Sequence, residues 1–460
     1  MSYLFALRSN YVNIDTVRLS HILETDEFVG LNYFLSHTAF VVCHKSERLE
    51  TLLGVLWYLP VNSPIIVVTN CPEHALGEIK RGLAEHLLRH TRIYLVHQKD
   101  PTIAQFLHGC GVHHILGPDG AVVGGKGEGM YIGTLCALLL GYPQWVLFFD
   151  ADNFVPSALL EYTFAMGRLF LSASVRPYTA AGSAALGADG RAQGGPALHN
   201  VRICWASKPE LGQSNLYEKV LGRCTSVVSP LLNVLLEDRF GMRDSSLSVS
   251  NAGEQGMTIN TARSLRFSSG FSVETFQLLD LLSKATDRHT RSALLQQYQS
   301  QSPHFHEKKG DEHIRKMIAE SLGSFFLFEK LLSRKVRRQV WQVYQDLDLE
   351  LIYPTVYPAL KDLPVQADEP FVDRYKLFQE TGVRTCCWTV RAYRASHSSV
   401  CYGEALLNAQ GRLTGQSDSP LSALGERHGG GIGVASSQEQ GVTFRIELPF
   451  FLDEPSEVRA

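Results

Sequence analysis

Trp145-Val146-Leu147-Phe148-Phe149-Asp150-Ala151-Asp152-Asn153 is an apolar run that ends in two carboxylates, two positions apart. A short, continuous apolar run of this kind reads as a buried strand. Side chains alternate along extended chain, so Asp150 and Asp152 leave the strand end on one side of the backbone. In parallel α/β sheets that end of a strand is where ligands bind. Paired oxygen donors placed there suit Mg²⁺ or Mn²⁺ carrying a diphosphate. Taken alone, the pattern also describes a solvated loop or a helix cap. Its neighbours have to decide.

Upstream, strand-like and helix-like segments alternate. Ala39-Phe40-Val41-Val42-Cys43 reads as a strand, followed by helical spacing of Leu49, Leu52, Leu53 and Leu56. Pro64–Thr69 is a second strand, about Ala75 to His90 a helix, and Ile93–Val96 a third strand. Gly129–Leu140 is a helix leading into the strand before Asp150. This alternation predicts a parallel, nucleotide-binding α/β layer with flanking helices. Downstream, Tyr178 to Pro196 is rich in Gly and Ala without a hydrophobic period and reads as a flexible loop. Val201–Trp205 resumes strand character, and a helix is expected from Asp311 as N-cap, with Ile314, Met317, Ile318 and Leu322 on its apolar face. From about Thr385 the texture changes, and 385–460, with the strand Val442–Leu448, is read as an appended segment of unassigned role. The rest divides into a nucleotide-sugar half at about 35–155 and an acceptor half at 156–370 that forms an α/β subregion.

At 460 residues, 45% hydrophobic and 19% charged, the chain can bury a large core. A net charge of -3 without a Lys/Arg block argues against nucleic acid binding. Nine cysteines without a Cys-x-x-Cys pattern favour reduced thiols, and no signal peptide or membrane span is read, so a cytoplasmic protein is expected.

Four more clusters could carry chemistry. Gly124-Gly125-Lys126-Gly127-Glu128-Gly129-Met130 precedes a helix, so its backbone can approach an anion and Lys126 can meet a phosphate. It lacks the spacing and the Ser/Thr of a Walker A loop, and a plain surface turn is the alternative. His97-Gln98-Lys99-Asp100-Pro101 closes the third strand, where polar groups could read a base and ribose; Asn70 closes the second. Asn251-Ala252-Gly253-Glu254-Gln255-Gly256-Met257 offers a carboxylate for sugar hydroxyls, or a helix-start charge. Pro303 to His313 holds His304 and His306, one of which could complete an octahedral site with the aspartates, diphosphate oxygens and water.

In this order, with Met257-Thr258 and with the last cluster running to Ile314, the set resembles the mannosyl-3-phosphoglycerate synthases, retaining glycosyltransferases of the GT-A type, from about Thr38 to Leu360. The resemblance implies a GT-A sheet and transfer of mannose from GDP-mannose to 3-phosphoglycerate with retention. It implies a divalent cation, Mg²⁺ first and Mn²⁺ or Co²⁺ next, held by Asp152 and His304. Lys126, Asp150 and Asp152 would be catalytic, with Lys126 on the nucleotide phosphates and Asp150 on the ribose or beside the metal. Glu47, Asn70, Gln98, Lys99 and Asp100 would bind the donor, and Glu254 its mannose hydroxyls. A Gly-Arg-x-Thr element of the related glucosyl-3-phosphoglycerate synthases is similar to Gly222-Arg223-Cys224-Thr225, placing Gly222, Arg223 and Thr225 on the acceptor, with His306 beside them. A homodimer is left open, and neither a nucleic acid nor a membrane partner is expected. Cys43-His44-Lys45-Ser46-Glu47 departs from the family's Pro, Thr, Arg, Asn, Glu and keeps only Glu47. Three other readings stand beside this one: the same catalyst with another sugar nucleotide, a sugar nucleotidyltransferase, and an idle binding protein.

Overall fold

The computed structural model describes residues 12–18, 28–87, 90, 92–175, 198–208, 220–242, 247–286, 293–306 and 310–378, and strands at 391–392, 431–437 and 441–447. The expected loop at 178–196, most of 385–460, and residues 307–309 of the histidine cluster lie outside the described residues. The chain divides into two units, Met1–Phe378 and Gln379–Ala460.

The first unit contains strands β1 (Val12–Arg18), β2 (Thr38–His44), β3 (Ile65–Thr69), β4 (Ile93–His97), β5 (Trp145–Asp150), β6 (Leu198–Cys204), β7 (Gln255–Thr258), β8 (Phe267–Ser268), β9 (Ala293–Gln299) and β10 (Val356–Tyr357). Eight of them form one sheet in the order β1-β9-β6-β7-β5-β2-β3-β4. Every neighbouring pair is parallel except those made by β7, which is antiparallel to both β5 and β6. Strands β8 and β10 pair separately.

The helices are α1 (Phe28–Ser36), α2 (Leu49–Trp57), α3 (Glu73–His86), α4 (Pro101–Gly109), α5 (Lys126–Leu139), α6 (Ala158–Val175), α7 (Arg223–Phe240), α8 (Ile259–Ser264), α9 (Val273–Ala285), α10 (Asp311–Phe325), α11 (Arg334–Asp346) and α12 (Glu369–Asp373). Strand alternation splits the core into two layers. Val41, Val68, Val96 and Phe148 face α4, α5, α7, α9 and α10. Phe40, Val67, Ile93 and Phe149 face α1, α2, α3 and α6. Because both faces are covered, the central strands read as unbroken apolar runs, and the α/β class expected from the sequence is the one that forms.

Two expected boundaries move. Helix α5 begins at Lys126, three residues before Gly129, so Lys126 itself sits in the first turn. Asp311 is not a cap: Gly310 holds that position and makes no side-chain cap bond, leaving Asp311 in the first turn, where its charge suits the helix dipole. Among the described residues no helix is long and apolar enough to cross a membrane. In the second unit β11 (Arg391–Ala392), β12 (Gly431–Ser437) and β13 (Gly441–Glu447) form an antiparallel sheet in the order β11-β13-β12.

One buried histidine gives the first unit a pH dependence. His199 on β6 lies with its Nε2 2.8 Å from Gln296 Oε1 of β9, and burial pushes its pKa down to about 4. The unfolded chain takes up the proton first, near pH 6.5, so this stability is complete above that value and is lost as pH falls toward about 4. The loss is on the order of 3 kcal/mol for that shift. A His199→Gln variant should therefore melt with a shallower pH slope between about 6.5 and 4 than the parent; identical slopes would contradict the assignment.

Candidate active site

Parallel pairing brings the ends of four strands to one edge. Cys43 is in register with Asp150, His44 with Thr69, and Thr69 with His97. Because β7 runs the other way, its start lies at that edge, which sets Asn251–Glu254 beside Asp150. Strands β6 and β9 end there too, so Trp205, Lys208, His304 and His306 follow on. A cavity of about 540 Å³ opens at this edge. Of the expected site residues, Glu47, Asn70, Gln98, Lys126, Asp150, Asp152, Gly222, Arg223, Thr225 and His306 line it. Lys99, Asp100, Glu254 and His304 do not.

Lys126 carries the first charge cluster. Its ammonium lies 2.6 Å from Asp150 Oδ1 and 2.5 Å from Glu274 Oε1. Burial works to lower its pKa, but the two carboxylates outweigh that and hold it well above the usual lysine range. Lys126 is thus a fixed cation at the N-terminus of α5, a position that favours an anion in front of it. Two glycines make the packing possible. A Cβ at Gly127 would stand 1.9 Å from the Ser268 carbonyl oxygen, and one at Gly253 would stand 2.0 Å from Asp150 Oδ2. Gly253→Ala should push Asp150 away from Lys126 and lower turnover about 100-fold, the scale set by a 1 Å misplacement of a reacting group. A variant with parental kcat would show that Asp150's place is not critical.

Asp152 leads to the second cluster. Asn153 Oδ1 accepts from Val155 N–H, closing the turn after β5, and Phe154 N–H donates to the Phe305 carbonyl, tying that turn to the histidine segment. His304 is fully buried, with Nε2 3.9 Å from Asp152 Oδ1 and Nδ1 3.3 Å from Glu254 Oε1. Burial first, then Lys208 and His306, hold its pKa well below the usual histidine value, so the imidazole is neutral. Burial pushes the Glu254 carboxyl up to about 8, with Asp150 adding to the rise. Trp205 Nε1–H donates to Glu254 Oε2 at 2.9 Å.

These residues fit a divalent cation. His304 Nε2 has no hydrogen-bond partner among the described residues, is unprotonated or free to become so, and faces a carboxylate oxygen. No three His, Cys, Asp or Glu side chains converge into a closed cage among the described residues. Two protein donors of this type leave coordination positions for substrate oxygens and water.

The loops after β2, β3 and β4 form another wall. Glu47 Oε2 accepts from Lys45 and Ser46 N–H, while His44 lies between Thr69 Oγ1 and the Glu47 carbonyl, so this loop is held by its own contacts. Gln98 Nε2–H donates to the Val123 and Gly125 carbonyls, which fixes the glycine-rich loop in front of α5. Two residues expected at the donor lie outside the cavity lining. The chain turns into α4 directly after β4, so Lys99 points to solvent. Asp100 is consumed as the N-cap of α4 and accepts from Tyr375 O–H.

In the same cavity lining, Gly222 caps α7 and Arg223 opens it, with Thr225 in its first turn. This gives a second helix N-terminus facing the cavity, with a guanidinium at its mouth. Arg223 Nη1–H donates to Asp311 Oδ1 at 2.8 Å. Four contributors escape sequence reading. Lys208 lies over the Trp205 ring at 4.0 Å and lines the cavity. Glu274 clamps Lys126 from α9. Glu128 and Glu320 accept from the backbone N–H of Gly270 and Phe271, with Tyr357 O–H donating to Glu128 at 2.6 Å. Only the folded chain brings these partners together. The sole clue in the sequence is that Glu128 falls inside the glycine cluster.

Residues 12–368 match the family model described as mannosyl-3-phosphoglycerate synthase. The chain is 32% identical over 321 residues to a mannosyl-3-phosphoglycerate synthase of Pyrococcus furiosus, covering 66% of this chain and 75% of that one. It is 31% identical over 326 residues to one of Aeropyrum pernix, covering 68% and 78%. Among solved structures it is similar to glucosyl-3-phosphoglycerate synthase from Mycobacterium tuberculosis in complex with Mn²⁺, uridine-diphosphate and phosphoglyceric acid, at 16% identity and a TM-score of 0.42, over 77% of this chain and 99% of that one.

Proposed function

Since the chain belongs to the mannosyl-3-phosphoglycerate synthase family, we propose that it transfers mannose from GDP-mannose to the 2-hydroxyl of 3-phosphoglycerate with retained anomeric configuration. One observation carries this reading. A single cavity holds a doubly clamped lysine at one helix N-terminus, an aspartate pair at a strand end, and an arginine at a second helix N-terminus. That is a place for two anionic substrates side by side.

The donor lies against the loops after β2 and β3. Glu47 and Asn70 shape the base pocket, and Gln98 holds the glycine loop under the diphosphate. Two of the hydrogens on Lys126 Nζ point at Asp150 and Glu274, leaving a third for the departing phosphate. Asp152 and His304 would hold a divalent cation, proposed as Mg²⁺ with Mn²⁺ or Co²⁺ as substitutes, and its charge would offset the negative charge of the leaving group. Arg223, Thr225 and the Gly222 cap grip the acceptor's phosphate or carboxylate, with His306 beside them. The acceptor hydroxyl attacks from the face the diphosphate leaves, and a diphosphate oxygen takes its proton. No side chain is required as base. Much of the acceleration comes from holding both anions in register. The substrates are intracellular phosphorylated metabolites, and we place the reaction in the cytoplasm.

The departure at Cys43–Glu47 favours a second reading, the same catalyst with another sugar nucleotide. Glu47 spends its carboxylate on its own loop, so that loop's backbone shape does much of the reading. The test is a panel of GDP- and UDP-sugars with 3-phosphoglycerate, following nucleoside diphosphate release and the product's anomeric signal. Fastest turnover with GDP-mannose and an α product supports the proposal. A preferred UDP-sugar supports the second reading. Pyrophosphate release would replace both with a nucleotidyltransferase.

A further inference from the structure

Behind the cavity wall, three buried polar atoms meet with no hydrogen-bond partner among the described residues: Glu254 Oε1, His304 Nδ1 and His304 Nε2. Buried polar atoms are nearly always satisfied, so three together mark an unfinished arrangement. Their order in space is a chain. Trp205 Nε1–H anchors Glu254 Oε2 at 2.9 Å, Glu254 Oε1 stands 3.3 Å from His304 Nδ1, and His304 Nε2 stands 3.9 Å from Asp152 Oδ1. The imidazole is further located by its own backbone N–H, which donates to the Ser207 carbonyl at 2.9 Å, and by the Trp205 ring at 5.2 Å.

We propose that Glu254 is a positioning residue for His304, keeping the imidazole proton on Nδ1 so that the Nε2 lone pair faces a divalent cation shared with Asp152. This rests on the cation-dependent reading above and replaces the sugar-hydroxyl role expected for Glu254. Once ionised, as a neighbouring cation favours, the Glu254 carboxylate can only accept, so the nitrogen beside it must carry the hydrogen of the neutral ring. Histidines that bind metals are commonly oriented by such a partner. A direct contact with mannose would need an exposed oxygen. Glu254 is fully buried, and its two oxygens face Trp205 and His304.

Glu254→Gln separates the roles, because an amide has one accepting oxygen and one donating nitrogen. With its oxygen toward Trp205, its NH₂ faces His304 Nδ1 and moves the ring proton to Nε2, where it blocks a cation. Flipped, it sets a donor against the Trp205 N–H. The experiment uses the full-length protein in two arms. Mn²⁺ binding is titrated by EPR in the presence of GDP, and ¹⁵N NMR of the metal-free imidazoles is recorded with Glu254 ionised, as read from its own ¹³C carboxyl signal. The expected result is His304 protonated at Nδ1 in the parent and at Nε2 in the variant, with Mn²⁺ affinity lowered about 10- to 100-fold. A variant that binds Mn²⁺ as the parent does overturns the inference and leaves the cation site standing. A parent that binds no Mn²⁺ overturns both. A parent spectrum showing Nε2–H overturns the inference by itself, even if the variant does not fold.

Discussion

Lys126→Ala should lower kcat by about 100- to 1000-fold, the range seen when one preorganised group that stabilises developing charge is removed. It should also destabilise the protein. Asp150 and Glu274 both lie within hydrogen-bonding distance of the ammonium, and Glu274 is almost fully buried. Removing the shared cation strands the Glu274 carboxylate away from water and takes the counter-charge from Asp150 at the cavity wall. Breaking a buried pair from one side costs about 3–5 kcal/mol, so a drop of several degrees in melting temperature should accompany the lost rate. The combination is diagnostic. A surface lysine would give neither effect, and a purely structural one would lower stability while leaving kcat per folded molecule intact. Parental kcat with a lowered melting temperature would remove Lys126 from the chemistry.

His304→Ala should be comparably severe for a different reason. The ring is fully buried, neutral, and presents Nε2 toward Asp152 across 3.9 Å. Its loss takes away one of two protein donors to the proposed cation, and several kcal/mol of charge stabilisation correspond to a rate loss on the order of 1000-fold. Asp152→Ala should match it. In both variants, raising Mn²⁺ should recover part of the rate, because the defect is affinity as well as geometry. Added imidazole should recover His304→Ala alone, since only that variant leaves a ring-sized space. Either variant working at the parental rate would contradict the ligand pair.

How much of this could be read beforehand depended on how local each signal was. Strands β2 to β5 are continuous apolar runs closed by polar residues, and the sheet edge they build carries Asp150 and Asp152 where parallel topology puts ligands. Strand β9 gives the opposite case. Ala293-Leu294-Leu295-Gln296-Gln297-Tyr298-Gln299 has no strand-like alternation, yet it lies between β1 and β6, where Gln296 and Gln299 find partners on β6 and Gln297 accepts from the Ser248 backbone N–H. Helix α5 starts three residues early because Gly127 packs against Ser268, a contact stronger than the poor helix propensity of its glycines. Lys126 was visible as a phosphate candidate. Its partner Glu274 stands 148 positions away and gives no local sign. Asp100 shows the converse case: it sits in a motif, yet it caps a helix, because Pro101 starts that helix immediately after it.

A crystal of the protein with GDP-mannose and Mn²⁺ tests the central claim most directly, through the anomalous signal of the ion. The expected peak lies within bonding distance of both Asp152 Oδ1 and His304 Nε2, with a diphosphate oxygen completing the contact and Lys126 Nζ on the same diphosphate. A bound nucleotide whose Mn²⁺ peak touches neither Asp152 nor His304 would contradict the account.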